Sequence, residues 1–328
     1  MAILVTGSAG HLGEALVRTL RAQGKQVVGA DLLESDYTDK VGDLADRDHV
    51  KGCVEGVDAI LHTATLHKPH VATHTRQDFI NTNIMGTLHL LEEAVLQRVK
   101  SFVFTSTTST FGDSLFSPPG TPANWITEEI TPIPKNIYGV TKVAAEDLCQ
   151  LFHRNQKLNC LILRTSRFFP ESDDNRNVRD SYEDDNSKLN EFLYRRVDVE
   201  DVVSAHLLAM EKAPSIGLGR YIISATTPFS QEDTMALGKD ASRVLFNMYP
   251  DVEEEYRQRG WVMFPRIDRV YVNTKARNEL GWEPQHTFYR VFERWKAGGA
   301  VLSSLAHSIG CKGYHPTSFD NEPYPVEG

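Results

Sequence analysis

The sequence predicts an α/β fold, a doubly wound parallel sheet with a smaller, discontinuous C-terminal domain, on three observations. Short β-branched runs alternate with helical periods from the first residue, a glycine-rich turn joins the first strand to the first helix, and the next strand ends in an acid, Asp31. Its 328 residues exceed one ordinary domain, and 41% hydrophobic with 24% charged residues is a globular balance, which argues against disorder or a coiled coil.

In chain order, AILVTG, ALVRTLRAQG and QVVGAD form strand, helix and strand, one right-handed βαβ unit. DAILHTA, DFINTNIMGTLHLLEEAVLQ, SFVFTST, NIYGVTKVAAEDLCQLFHRN and NCLILRT continue the alternation, as expected of a Rossmann-type sheet with helices on both faces. Residues 1–167, with 194–224 returning, are expected to form this nucleotide-binding domain, and 168–193 with 225–328 a substrate domain and tail. The rhythm breaks at 171–191, where eight acidic and three basic side chains predict an exposed loop, either a lid or a solvated insertion. VVSAHLLAMEKA and RYIISA return to helix and strand, and further helices end in KARNELGW and HTFYRVFERWKAG. The tail after Gly298, with Pro316, Pro323 and Pro325, has weak periodicity and is expected to wrap the surface.

Acidic residues number 44 against 35 basic ones, a net charge of −9, the wrong balance for a phosphate backbone, so no nucleic-acid partner is expected. Cys53, Cys149, Cys160 and Cys311 have no paired or metal-ligand spacing, which predicts free thiols in a reducing compartment. The opening MAILVTGSAGHLG lacks a basic n-region, and no stretch approaches about 18 consecutive apolar residues, so a cytoplasmic protein without a membrane partner is expected.

Gly7, Gly10 and Gly13 lie at the first strand-to-helix junction, where missing side chains let backbone approach a pyrophosphate at the helix N-terminus. Asp31, 24 residues beyond Gly7, can accept hydrogen bonds from both hydroxyls of an adenosine ribose, and its charge repels a 2′-phosphate. No arginine follows at 32–36, so NAD is favoured over NADP. Asp43 and Leu44 follow the third strand, where they either flank the adenine or, for Asp43, cap a helix.

Tyr138 and Lys142 stand four apart in a helical segment and share a face. An ammonium beside a phenol lowers its pKa from about 10 and makes a general base. Tyr271 and Lys275 repeat the spacing, but only Tyr138 opens the helix after a strand whose C-terminal end points at the sheet crevice, so the later pair is set aside as coincidence. Thr107, at that strand end, offers a hydroxyl to the substrate oxygen, though it stands in a β-favouring run. His62, His67, His70 and His74, with Lys68, crowd the segment after the fourth strand. No second group of acids or thiols accompanies them, so no metal is expected.

TGSAGHLG, Asp31, NIMGT, FTSTTSTFG, YGVTK, RRVDVEDVVSAH and KARNELGWEP, in this order over about residues 2–295, resemble the extended short-chain dehydrogenase/reductase superfamily, in its NAD-dependent epimerase/dehydratase group. The resemblance implies that Gly7, Gly10, His11, Leu12, Gly13 and Asp31 bind NAD. It implies that Thr107, Tyr138 and Lys142 are catalytic, that Lys142 also holds the nicotinamide ribose, and that Asn83 braces the active-site strands. It further marks Thr65, His67, Lys68, His70 and Thr108 as substrate contacts, with ordinary loop residues as the alternative.

Dehydratases of the group carry Asp-Glu, and its 3,5-epimerases a Cys, after the catalytic hydroxyl. Thr108 and Ser109 stand there, which leaves dehydrogenation or 4-epimerisation. RTSRFFPESDDNR resembles a segment of uronate dehydrogenases, which implies that Arg176 meets a substrate carboxylate. The chain departs from those enzymes by its acidic insert, its longer C-terminus and Thr-Thr-Ser in place of Ser-Asn-His. The reading favoured is an NAD-dependent dehydrogenase of a sugar-like small molecule. A nucleotide-sugar 4-epimerase and a catalytically silent NAD sensor are its alternatives. Apolar positions on more than one face of the helices over 83–96 and 138–152 predict a homodimer through a four-helix bundle.

Overall fold

The computed structural model describes residues 1–312, so the expected course of the tail through Pro316, Pro323 and Pro325 lies outside the described residues. The chain opens with β1 (Ala2–Thr6), α1 (His11–Ala22), β2 (Gln26–Asp31), β3 (Lys40–Val41), α2 (Arg47–Val54) and β4 (Ala59–His62). Next, α3 (Arg76–Phe79) runs through a π-helical turn at Ile80–Met85 into α4 (Gly86–Leu96). β5 (Ser101–Thr107), β6 (Asn124–Ile126), α5 (Ile137–Gln156) and β7 (Cys160–Thr165) follow. The remainder holds α6 (Arg176–Ser181), α7 (Asp184–Glu191), α8 (Val199–Ile216), β8 (Leu218–Ile223), α9 (Thr234–Leu237), α10 (Ala241–Met248) and α11 (Pro250–Arg259). It ends with β9 (Arg269–Tyr271), α12 (Thr274–Leu280), α13 (Phe288–Lys296) and α14 (Ser304–Ile309).

Seven parallel strands form the main sheet in the order β3-β2-β1-β4-β5-β7-β8, and β6 pairs with β9 beside it. Thr6 of β1 stands opposite His62 of β4, and the chain leaves these neighbours in opposite directions, which opens a crevice at their C-terminal ends. Because helices cover both faces, the strands are apolar throughout rather than alternating; Ile3, Leu4 and Val5, and Leu161, Ile162 and Leu163, are wholly buried. On one face Leu4, Ile60, Phe102 and Ile162 pack with Val50 and Val54 of α2, Leu90 and Leu91 of α4, and Ala145 and Cys149 of α5. On the other, Ile3, Val5, Leu61 and Val103 pack with α1 and α8, and this core continues unbroken to Trp282, Phe288 and Trp295.

The acidic stretch 171–191 is exposed over most of 175–185, as its charge predicts, but it is not a loop throughout. It folds into α6 and α7, and Asn186–Glu191 is buried. Its carboxylates are met by one distant partner and two near ones. The Trp261 indole donates to Glu183 at 2.7 Å, Arg196 donates to Glu191 at 2.7 Å, and Arg195 pairs with the same Glu191 at 2.6 Å. Asn190 donates to the Val262 carbonyl and accepts from the Tyr256 hydroxyl, which ties α7 to the C-terminal helices.

Candidate active site

What a side chain would strike shapes the turn from β1 into α1. Gly7 has φ +71°, and a Cβ there would stand 2.7 Å from the Ala64 nitrogen; a Cβ on Gly13 would stand 1.8 Å from the Gly7 carbonyl oxygen. Gly10 precedes α1 without a side-chain cap, so the first-turn amides and the positive end of the helix dipole remain for a ligand. Gly7, Gly10, His11, Leu12 and Gly13 line a cavity of about 620 Å³ at the crevice.

Asp31 lines it too, with Oδ2 accepting from the Ala9 amide and Oδ1 from the Leu33 amide, each at 2.9 Å. The neighbouring wall is Leu32 and Leu33, apolar and without a cation for a 2′-phosphate. A side-chain-free cradle on an uncapped helix N-terminus, with an acid at the next strand end, fits the pyrophosphate and ribose of a dinucleotide. Asp43 and Leu44 border the same cavity. Asp43 accepts from Ala45, whereas the residue that caps α2 is Asp46.

At the other end stand Thr107, Thr108 and Tyr138. Asn136 caps α5 by accepting from the Gly139 amide, which sets Tyr138 in the first turn with its phenol beside Thr107. Burial pushes the phenol up to about 12, partly opposed by the Thr107 hydroxyl. Lys142 is buried, donates to the Thr105 carbonyl at 2.6 Å and lies 4.0 Å above the Phe104 ring. Burial brings its ammonium down to about 7, against the raising effect of Glu146. With Lys142 drawn to Thr105 and burial dominating, the phenol stands above its ordinary value in this state, where the sequence argument expected it below.

Asn83 sits in the π-helical turn and is 2% exposed. Its oxygen accepts from Thr65 Oγ1 and the Leu66 amide, and its nitrogen donates to the Leu66 carbonyl and Thr141 Oγ1, which pins the loop after β4 to α5. His62 is buried in β4 between Thr6 and Thr87. The Thr87 hydroxyl donates to the Asn83 carbonyl, so it accepts from His62 Nε2–H, and Nδ1 accepts from Thr6. Burial, reinforced by Lys142, holds this neutral imidazole at about 3.

Thr65, His67, Lys68 and His70 line the cavity with Thr108. His67 stacks on Phe169 with ring centroids 5.5 Å apart, and Lys68 pairs with Asp174. Arg176 is not brought there. Its side chain is 74% exposed on α6 and pairs with Asp180. The cavity's arginines are Arg167, Arg195 and Arg269, which sequence reasoning did not single out. Arg167 pairs with Asp173 and Asp174, and Arg195 with Asp173 and Glu191. Tyr271, set aside on sequence, also lines the cavity, because the β6–β9 pairing carries it in; Lys275 instead lies 5.5 Å over the Tyr221 ring.

Among the described residues, Asp198, Glu200 and His286 approach metal-ligand spacing. Arg294 donates to His286 Nδ1 at 2.9 Å, which leaves Nε2 as an N–H facing Glu200 without a lone pair for a cation. No helix among the described residues is long and apolar enough to cross a membrane.

The sequence pattern of the NAD dependent epimerase/dehydratase family matches residues 3–223. A UDP-glucose 4-epimerase from Halalkalibacterium halodurans is 26% identical over 87% of this chain and 91% of its own length. A uronate dehydrogenase from Pseudomonas syringae pv. tomato is 30% identical over 53% of this chain and 62% of its own. Among solved structures, a short-chain dehydrogenase/reductase superfamily protein from Agrobacterium tumefaciens with bound NAD superposes with a TM-score of 0.63, at 24% identity over 90% of this chain and 95% of that one. A Thermotoga maritima UDP-glucose 4-epimerase with UDP-glucose gives 0.61, at 23% identity over 91% and 99%. The chain belongs to the NAD dependent epimerase/dehydratase family, and its cofactor is NAD.

Proposed function

We propose that the protein is a dehydrogenase that oxidises a carbinol of a sugar or sugar-acid-like small molecule. The observation that carries this reading is the placing of Tyr138 and Thr107 side by side at the end of β5, in the cavity that the glycine turn also lines. NAD, when bound, accepts the hydride from the substrate carbon. Tyr138 takes the carbinol proton and Thr107 orients the same oxygen. A phenol at about 12 is a poor base near neutrality, so the phenolate needs a cation; Lys142, one turn along α5 and here held on the Thr105 carbonyl outside the cavity lining, supplies it by turning toward the phenol. The amides from Gly7 to Gly13 hold the pyrophosphate, Asp31 the ribose hydroxyls, and Asp43 and Leu44 border the adenine. Thr65, His67, Lys68, His70 and Thr108 meet the substrate. For an anionic substrate, Arg195 and Arg269 take the place given to Arg176, because they line the cavity and Arg176 does not.

Thr108 and Ser109 carry no acid or base for dehydration, which leaves oxidation or 4-epimerisation. A 4-epimerase is the second reading, favoured by the relative that matches 87% of the chain. A thermal-shift screen with NAD against sugars, uronates and nucleotide sugars finds the ligand, and absorbance of the reduced cofactor during turnover then separates the readings. Net NADH supports dehydrogenation; interconversion of epimers without net NADH supports the second reading. Binding without either reaction supports the silent NAD sensor. A homodimer is supported by exposed Met85, Leu96, Val140 and Leu151 on or beside α4 and α5, and a reducing, cytoplasmic setting by the four free cysteines.

A further inference from the structure

Three segments far apart in sequence meet on one carboxylate at the cavity wall. Glu171, in the loop after β7, has a side chain only 11% exposed; its Oε1 lies 2.8 Å from His11 Nε2 and accepts from the Lys312 amide at 2.9 Å. The Lys312 ammonium pairs with Glu14, one turn along α1 from His11. His11, Glu171 and Lys312 all line the cavity beside Gly10 and Gly13. Glu171 Oε2 is buried with no hydrogen-bond partner among the described residues, which leaves an acceptor for a donor entering the cleft. Burial alone would raise this carboxyl, yet His11 and the Lys312 amide hold it below its ordinary value.

The segment that delivers Lys312 is itself fastened to the nucleotide-binding half. Val301 and Leu302 are buried in the shared core, and Ser303 donates through its amide and its hydroxyl to the two oxygens of buried Asp198. From there α14 packs on α1 and α8, with Ala306 and Ile309 buried. The chain therefore returns to the cofactor cleft on an anchored path.

We propose that Glu171 is a clasp, which fastens the loop after β7 and the C-terminal segment to the first residue of α1, so that NAD leaves the cleft only after these bonds open. The clasp stands beside the first-turn amides of α1 and not at Tyr138, so it governs cofactor residence rather than proton transfer. It holds whichever reaction the cavity performs, and its test needs no substrate.

Stopped-flow displacement of NADH from the full-length protein, read by cofactor fluorescence, measures the dissociation rate. Glu171→Ala removes the acceptor, Lys312→Pro removes the amide donor, and Lys312→Ala keeps the amide while removing the Glu14 pair. Losing a hydrogen bond to a charged group is worth about tenfold or more in rate. Glu171→Ala and Lys312→Pro are expected to release NADH at least about tenfold faster, with association within about twofold of the parent, and Lys312→Ala to change release by less than about threefold. Lys312 lies beyond α14, outside any helix or strand of the described residues, so Lys312→Pro is expected to keep the fold even where Glu171→Ala weakens it. Unchanged release from a Lys312→Pro protein that melts like the parent overturns the proposal. So does weaker binding that arises from slower association, which would make Glu171 a wall of the cleft instead of its fastening.

Discussion

Replacing Asn83 by Ala strips four hydrogen bonds from one side chain that is 2% exposed. Two of them satisfy the Leu66 amide and carbonyl, one reaches Thr65 and one reaches Thr141 on α5. At a net value of about 1 kcal/mol each, with some relief from water entering a half-buried loop, Asn83→Ala is expected to cost roughly 2–4 kcal/mol of stability. Asn83→Asp keeps both acceptor bonds but loses both donors and buries a charge, so it is expected to cost at least as much. Denaturant titration measures the loss, and hydrogen exchange at the Leu66 amide shows whether it is local, since that amide should exchange faster once its acceptor is gone. Stability within about 0.5 kcal/mol of the parent, with Leu66 still protected, would refute the claim that Asn83 ties the loop after β4 to α5.

NAD is expected to bind at least about tenfold tighter than NADP in a calorimetric titration, because Asp31 faces the extra phosphate from a wall of Leu32 and Leu33; Asp31→Ser should narrow the ratio, and equal parental affinities would contradict it. His62 is held at about 3 when folded against an ordinary 6.5, so the unfolded chain binds the extra proton between these values, and the stability present above pH 6.5 is lost as pH falls toward 3. At pH 5 this amounts to about 2 kcal/mol, and His62→Asn should show that much less acid destabilisation in urea titrations at pH 7 and pH 5; identical pH slopes would sink the assignment. Light scattering at micromolar concentration is expected to show a dimer that Leu151→Glu shifts to monomer, since Leu151 is exposed on α5; a parental monomer would contradict it.

The parts of the site that rest on local sterics were legible in the sequence. Gly7 and Gly13 are dictated by backbone that has no room for a Cβ, and Tyr138 by its place in the first turn of the helix after β5, so spacing read together with position in the strand–helix order pointed to both ends of the cavity. What depends on distant pairing was not. Tyr271 enters the cavity only because β9 pairs with β6, a register no local pattern announces. The charge of 171–191 suggested solvent, yet Lys68 pairs with Asp174, Trp261 donates to Glu183 and Arg195 reaches Asp173, partners 106, 78 and 22 residues away along the chain. Arg176 was placed by likeness to a short segment, and the turn of α6 carries it to solvent. Lys312 carried no signal, because only the folded path through Ser303 and α14 returns it to α1.

The central claim is that Tyr138 takes the proton as the substrate carbon is oxidised. The measurement that tests it is absorbance of reduced cofactor with the substrate found by thermal shift, for the parent, Tyr138→Phe and Lys275→Gln. Tyr138→Phe keeps the ring and deletes the proton acceptor, so NADH formation should fall by roughly 10²–10⁴-fold while NAD affinity stays nearly unchanged. Lys275 lies over Tyr221 and outside the cavity lining, so Lys275→Gln should stay within a few-fold of the parent. A Tyr138→Phe protein that forms NADH at the parental rate would contradict both the catalytic role of Tyr138 and the placing of the reaction at the end of β5.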